Sequence, residues 1–263
     1  MLSYSYMSAL PQVFIFAFGT VIGSFLNAVL WRLRTRESFI VGRSYCPHCR
    51  HELAAVDLVP LFSYLLLGGK CRYCRRAISP SYILVETATG LLFLLAALRW
   101  LPAEGAASGL VLARLLLDWY FLAVLVIVFV FDLRYMMILP AVVLPAAVIA
   151  FLGNLALGQS WLALLLGAAI GGGFFYAQLV LSRGQWIGGG DIYLGLLLGA
   201  MLGWSSLLVT LFLAYVSGAI VGVGLLLAKR KTMKSQIPFG TFLAAAAAVT
   251  LLYGDRLLLW YLG

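Results

Sequence analysis

The chain has 263 residues, 64% of them hydrophobic and only 10% charged, with mean hydropathy +1.05 and a net charge of +9. A soluble domain carries about 25% charged residues, so the composition excludes one and points to a polytopic membrane protein. In a soluble protein the excess of positive charge would suggest nucleic acid as a partner, but here its placement argues against that. Fifteen of the 18 Lys and Arg fall in segments that alternating spans put on one side: Arg32, Arg34, Arg36, Arg43, Arg50, Lys70, Arg72, Arg75, Arg76, Arg134, Arg183, Lys229, Arg230, Lys231 and Lys234. Arg99, Arg114 and Arg256 fall on the other. This is the positive-inside bias, and it orients the chain with those fifteen in the cytoplasm.

The first apolar run, Pro11–Leu30, ends in Trp31-Arg32-Leu33-Arg34, an aromatic and basic anchor at the cytoplasmic interface. Residues 1–30 lack a basic n-region and a small-residue cleavage site, so the run is expected to stay as span one rather than be removed as a signal. Gly19 and Gly23 share a helix face and would let another helix approach closely, and Asn27 is read as an interhelical hydrogen-bond donor.

Residues 32–81 are the sizeable polar stretch, and they hold all four cysteines and both histidines. They read as a small cytoplasmic domain inserted between spans one and two. Its centre, Leu58–Leu67, is apolar but too short to span, and is expected against the cytoplasmic membrane face. Cys46-Pro47-His48-Cys49 and Cys71-Arg72-Tyr73-Cys74 are two C-x2-C knuckles separated by 21 residues. Two such knuckles can close a tetrahedral thiolate site around Zn²⁺, with Cys46, Cys49, Cys71 and Cys74 as ligands and His48 and His51 as bystanders. A segment this short hardly holds a core without such a staple, and a reducing compartment argues against disulfides.

Span two is Tyr82–Leu98, with Glu86 near its cytoplasmic end, and an outer loop, 99–108, leads to span three, Gly109–Phe131. There Arg114 and Asp118 stand four apart, the spacing of a structural ion pair. Span four is Ile138–Leu157 and span five Trp161–Leu181, whose Gly171-Gly172-Gly173 allows tight packing or a kink. The run from Asp191 to Leu227 is too long for one crossing, and Gly203-Trp204-Ser205 marks the turn between spans six and seven. Gly195, Gly199 and Gly203 form a close-packing stripe. Span eight runs from Ile237-Pro238-Phe239-Gly240 to about Tyr261. The expected architecture is an all-α polytopic membrane protein of about eight transmembrane helices, both termini outside, with no internal repeat. Its domains read as 1–31 (first transmembrane helix), 32–81 (cytoplasmic four-cysteine zinc domain) and 82–263 (transmembrane catalytic core).

Within so apolar a chain, Asp132 and Asp191 need a reason. A carboxylate at the centre of a membrane helix costs about 2.5–3.5 kcal/mol on insertion scales, so such residues face water or do chemistry. Both emerge on the cytoplasmic side when the spans are counted, and two aspartates brought together can share one proton, one as base and one as acid. Gly188-Gly189-Gly190 ahead of Asp191 would let an extended substrate backbone lie beside the acid. Two unrelated interfacial acids are the plain alternative, beside a metal-dependent membrane transferase and a non-enzymatic assembly protein.

Gly23-Ser24-Phe25-Leu26-Asn27 with Arg32, the paired knuckles, Asp132 with Leu139-Pro140, Gly188-Gly189-Gly190-Asp191 and Ile237-Pro238-Phe239-Gly240 occur in the order found in a known family. The chain resembles the prepilin peptidases nearly end to end. The resemblance implies a membrane aspartyl peptidase with Asp132 and Asp191 as catalytic pair. Gly188, Gly189, Gly190, Pro238, Phe239 and Gly240 become substrate-channel candidates. It implies cleavage of the basic leader of type IV prepilins or pseudopilins at the cytoplasmic face of the bacterial inner membrane. N-methylation of the new N-terminal residue from S-adenosylmethionine follows, through residues left unassigned. The chain departs from the family pattern at Tyr193, where Lys is usual, at Thr241, where Pro often follows, and at Ala141, where an acid is common. It also has Asp57-Leu58-Val59-Pro60 where acid-Asn-aliphatic-Pro is usual.

Overall fold

Helices dominate the computed structural model, which describes residues 9–38, 42–102, 107–230, 232 and 235–262. Lys231, Lys234 and part of the outer loop lie outside the described residues. In chain order the helices are α1 (Ala9–Thr35), a 3-10 turn (Ala55–Leu58), α2 (Phe62–Leu66), α3 (Ser81–Trp100), α4 (Gly109–Tyr135), α5 (Pro140–Ala156), α6 (Trp161–Leu181), α7 (Gly189–Leu227) and α8 (Phe239–Leu262). Helices α1, α3, α4, α6 and α7 are each long and apolar enough to cross a membrane, while α5 is shorter at 17 residues. Among the described residues there is no strand, only isolated bridges at Tyr45–Glu52 and Lys70–Ala77.

Helix α7 explains how the eight-helix expectation is met. Its 39 residues would stretch roughly 58 Å as one rod, about twice a hydrocarbon core. It breaks at Gly203, whose φ of 73° and ψ of 173° is a conformation open only to glycine. The break leaves carbonyls of the preceding turn without their helical donors. Asn154 of α5, fully buried, supplies them: its Nδ2 donates to the Ala200 and Met201 carbonyls at 3.1 and 2.9 Å. Counting the two halves of α7 separately gives eight long helical segments among the described residues.

The chain divides into two compact units, Met1–Leu115 and Leu116–Gly263. In the first, α1 lies along α3. A Cβ on Gly19 would stand 2.8 Å from the Gly90 Cα, and one on Gly23 2.7 Å from the Glu86 Cα, so the expected close approach is the α1–α3 contact. Asn27 Nδ2 donates to the Tyr82 carbonyl at 3.0 Å, the interhelical bond its position suggested. The buried Glu86 accepts the Leu61 N–H at 2.9 Å and so ties the start of α2 to α3. Leu61 holds a left-handed φ of 62° there, a strained choice for a branched side chain. Phe62, Leu65 and Leu66 leave their side chains exposed.

In the second unit, α6 and α7 are in backbone contact. Gly167 meets Gly199 and Gly171 meets Gly195, and a Cβ at any of the four would run into the facing backbone. Of the triple glycine of α6, Gly171 and Gly172 serve packing while Gly173 faces open space, and the helix stays continuous. On these two helices Phe175, Leu194, Leu198 and Leu207 are fully buried.

Candidate functional site

Asp132 sits in the last turn of α4, where its carbonyl accepts the N–H of Met136 at 2.8 Å. Met136 turns left-handed (φ 51°) and ends the helix. The helix therefore runs four residues beyond the expected end at Phe131, because the chain closes it with a left-handed cap rather than at the first charge. The carboxylate is buried, and its Oδ2 accepts two hydrogen bonds from the start of α8: the Thr241 backbone N–H at 2.7 Å and the Thr241 hydroxyl at 3.2 Å. Gly240 makes room for it, since a Cβ there would stand 2.9 Å from Oδ2.

Asp191 is the third residue of α7, and Gly188 is the N-cap. Its Oδ2 accepts the Gly188 N–H at 3.1 Å, the carboxylate half of a capping box. Its side chain is buried. Ile138, in the turn between α4 and α5, joins the two acids' surroundings: a Cβ on Gly190 would stand 2.9 Å from the Ile138 Cβ, and one on Gly240 3.0 Å from its Cδ1. Through Gly190 and Gly240 the two carboxylates are thus brought beside the same residue, Ile138. Two buried carboxylates in that relation can hold one proton between them.

The six channel candidates divide by their surroundings. Gly188 caps α7, Gly189 has nothing within 4 Å of an added Cβ, and Gly190 lies against Ile138. Gly240 lies against Asp132, while Pro238 directly precedes α8. Phe239 packs its ring against Tyr215 at 4.8 Å and Phe175 at 6.2 Å. Tyr215 in turn exchanges hydrogen bonds with the Gln178 amide of α6 at 2.8 and 2.9 Å. Sequence reasoning singled out none of Thr241, Ile138, Tyr215 and Gln178 as site residues. Thr241 alone carried a signal, as the residue next to the Pro238-Phe239-Gly240 motif.

The cysteine segment forms a separate site. The sulfurs of Cys46, Cys49, Cys71 and Cys74 all lie within 4.8 Å of one another, and the Cys46 and Cys74 sulfurs are 3.9 Å apart. Four thiolates bound to Zn²⁺ at about 2.3 Å stand about 3.8 Å apart, so the cluster fits a tetrahedral metal ion. None of the four is in a disulfide. The two knuckles, paired in the sequence by their C-x2-C spacing, match bond for bond. The Arg50 N–H reaches the Cys46 carbonyl and the Arg75 N–H that of Cys71, while the Cys46 and Cys71 N–H groups reach the His51 and Arg76 carbonyls. Arg50 and Arg75 are both left-handed. Burial works against ionisation of Cys46, but hydrogen bonds, led by the Cys49 and His48 backbones, win and bring its thiol down to about 7. His51 stacks on Tyr73 with ring centroids 3.6 Å apart, and His48 Nδ1 lies 3.4 Å from an Arg76 nitrogen.

Beside the knuckles, Asp57 gathers three donors: Arg72 Nε at 2.6 Å, the Tyr73 hydroxyl at 3.0 Å and the Ala54 N–H at 3.1 Å. Burial works to raise its pKa, yet these bonds, Arg72's foremost, hold the carboxyl below its ordinary range.

Two family models match the chain: the Bacterial Peptidase A24 N-terminal domain over residues 17–100 and the Type IV leader peptidase family over residues 119–223. Among similar curated proteins, the prepilin leader peptidase/N-methyltransferase of Aeromonas hydrophila is 35% identical over 94% of this chain and 92% of its own length. That of Bacillus subtilis is 34% identical over 94% and 96%. That of Pseudomonas aeruginosa is 33% identical over 98% and 96%. No solved structure matches the chain.

Proposed function

Since this chain belongs to the type IV leader peptidase family, we propose that it is a bifunctional membrane aspartyl endopeptidase and N-methyltransferase of prepilins or pseudopilins. It removes the basic leader at the cytoplasmic face of the bacterial inner membrane. Asp132 and Asp191 are the catalytic pair. One takes a proton from water, the water attacks the scissile carbonyl, and the other aspartate protonates the leaving amine. The observation that carries this reading is the gathering of the end of α4, the start of α7 and the start of α8 around Ile138, with a buried carboxylate on each of the first two. The substrate backbone lies along Gly188, Gly189 and Gly190 and past Pro238, Phe239 and Gly240.

The second activity, methylation of the new N-terminal amine, draws its methyl group from S-adenosylmethionine. Cys46, Cys49, Cys71 and Cys74 hold a structural zinc, whose bound charge and geometry cross-link a cytoplasmic domain of residues 32–81. The first transmembrane helix is α1, and residues 82–263 form the catalytic core. Lipid covers the apolar helix faces and the exposed Phe62, Leu65 and Leu66.

The test is to incubate the purified full chain with a prepilin and S-adenosylmethionine and to weigh the products. Asp132→Asn and Asp191→Asn should each abolish cleavage, a loss of about a hundredfold or more, while metal content and expression stay at wild-type level. Normal cleavage by either variant would end the reading.

A further inference from the structure

We propose that Thr241 is a positioning residue for the proteolytic reaction, fixing the Asp132 carboxylate through one oxygen so that the other exchanges protons with the substrate. The inference rests on the assignment of Asp132 and Asp191 as the catalytic pair. Both Thr241 donors, the backbone N–H at 2.7 Å and the hydroxyl at 3.2 Å, converge on Oδ2. Two bonds to one oxygen set both its place and the tilt of the carboxylate plane, which a single bond leaves free. Asp132 is 5% exposed and Thr241 7%, so bulk water competes weakly for these bonds.

The backbone explains why Thr241 is available. It lies in the first turn of α8, where a helix has N–H groups without acceptors of its own. Gly240 lets the carboxylate approach that turn, and Ile138 packs beside the same glycine. The two acids are thereby served alike: Asp191 takes an N–H from the N-terminus of its own helix, and Asp132 takes those of Gly240 and Thr241 at the N-terminus of α8. Asp132 needs the borrowed pair, because the end of its own helix presents carbonyls. The hydroxyl is what threonine adds. A proline at this position, common where the family motif continues, offers neither N–H nor O–H. This chain therefore holds its first aspartate by a device that such relatives lack.

The experiment compares wild type, Thr241→Ser, Thr241→Val, Thr241→Pro and Asp132→Asn as full-length proteins, with prepilin cleavage and the infrared carboxylate band of Asp132 as readouts. Val keeps the shape and the N–H, so a drop in kcat of about tenfold with KM unchanged is expected from the lost hydroxyl alone. Ser should restore kcat to within about twofold, and Pro should lose more than Val. The pH–rate profile and the carboxylate band should move in Val and Pro and stay in place in Ser. Equal melting temperatures for Val and wild type show that folding is not the cause. The proposal is overturned if Val matches wild type in kcat, profile and band, or if Ser is damaged as much as Val. Failure of the underlying reading looks different: wild type does not cleave, or Asp132→Asn still does.

Discussion

The knuckle segment and the α6–α7 seam are held together by opposite means. Between residues 42 and 80 the buried residues are Cys46, Gly69 and Cys71, so there is almost no apolar core. Order comes from thiol ligands, turn hydrogen bonds and the Asp57 clamp. In the second unit, Gly167 and Gly171 press on Gly199 and Gly195, and large apolar side chains fill the flanks. Water rewards burial of apolar surface, but the segment is too small to bury much, and its four gathered thiols could hold a metal ion in place of a core. Lipid gives apolar side chains no reason to leave it, so helices gain by bringing backbones close enough for dispersion. One region therefore rests on a cluster of thiols and turn bonds, and the other on the absence of side chains.

The sharpest way to break the contrast is to put a side chain into the seam. Gly199→Leu would set its Cβ inside the Gly167 backbone, and no flexible atom there can give way. The expected loss exceeds about 3 kcal/mol, read as a collapse of the melting temperature in detergent and of cleavage with it. Gly173→Leu, on the same helix as Gly167 but with nothing within 4 Å, should change the melting temperature little. Metal content should be unaffected in both. If Gly199→Leu melts like wild type, the seam does not hold the unit.

Much of this contrast is legible in the sequence, because both devices are local. The spacing of Cys46, Cys49, Cys71 and Cys74 announces the ligand cluster, and the stripe Gly195, Gly199, Gly203 announces both the seam and the break. The partners that finish each device are not local. Thr241 is 109 residues from the carboxylate it holds, and Asn154 is 46 and 47 residues from the carbonyls it caps. Asparagine in a membrane helix signals an interhelical bond without naming its acceptor. The sequence places the end of α4 too early because Asp132 looks like a boundary. A carboxylate accepting bonds from another helix can ride inside the last turn.

Removing the metal probes the other side of the comparison. Cys71→Ser, or a strong chelator, should take zinc from about one per chain to none and release the roughly 10–16 kcal/mol that such sites contribute. Hydrogen exchange should then become fast at the Cys46, Arg50 and Arg75 amides, while α6 and α7 keep their protection. Methylation should fall more than cleavage. Equal loss of both would mean that the ordered segment also serves the peptidase reaction.

The smallest effect sharpens what shares the work with the metal. Arg72→Met keeps the stem but removes the bond to Asp57, which in the native segment holds that carboxyl below its ordinary range. A depressed carboxyl contributes stability that is present above the unfolded value, about 3.9, and is lost as pH falls through the folded value below it. From about pH 6 to 8, Asp57 is ionised in both folded and unfolded chains, so the variant's weakening must be flat across that window. The thiolates behave otherwise: metal affinity drops with every proton they regain, and Cys46 at about 7 titrates within the same window. Competition with a zinc chelator at several pH values separates the two. Wild type and Arg72→Met should give parallel lines, both rising steeply with pH and offset by a constant amount. Lines that converge towards the alkaline end would mean that Arg72 acts on the thiolates rather than through Asp57, and the clamp would be part of the metal site instead of a support beside it.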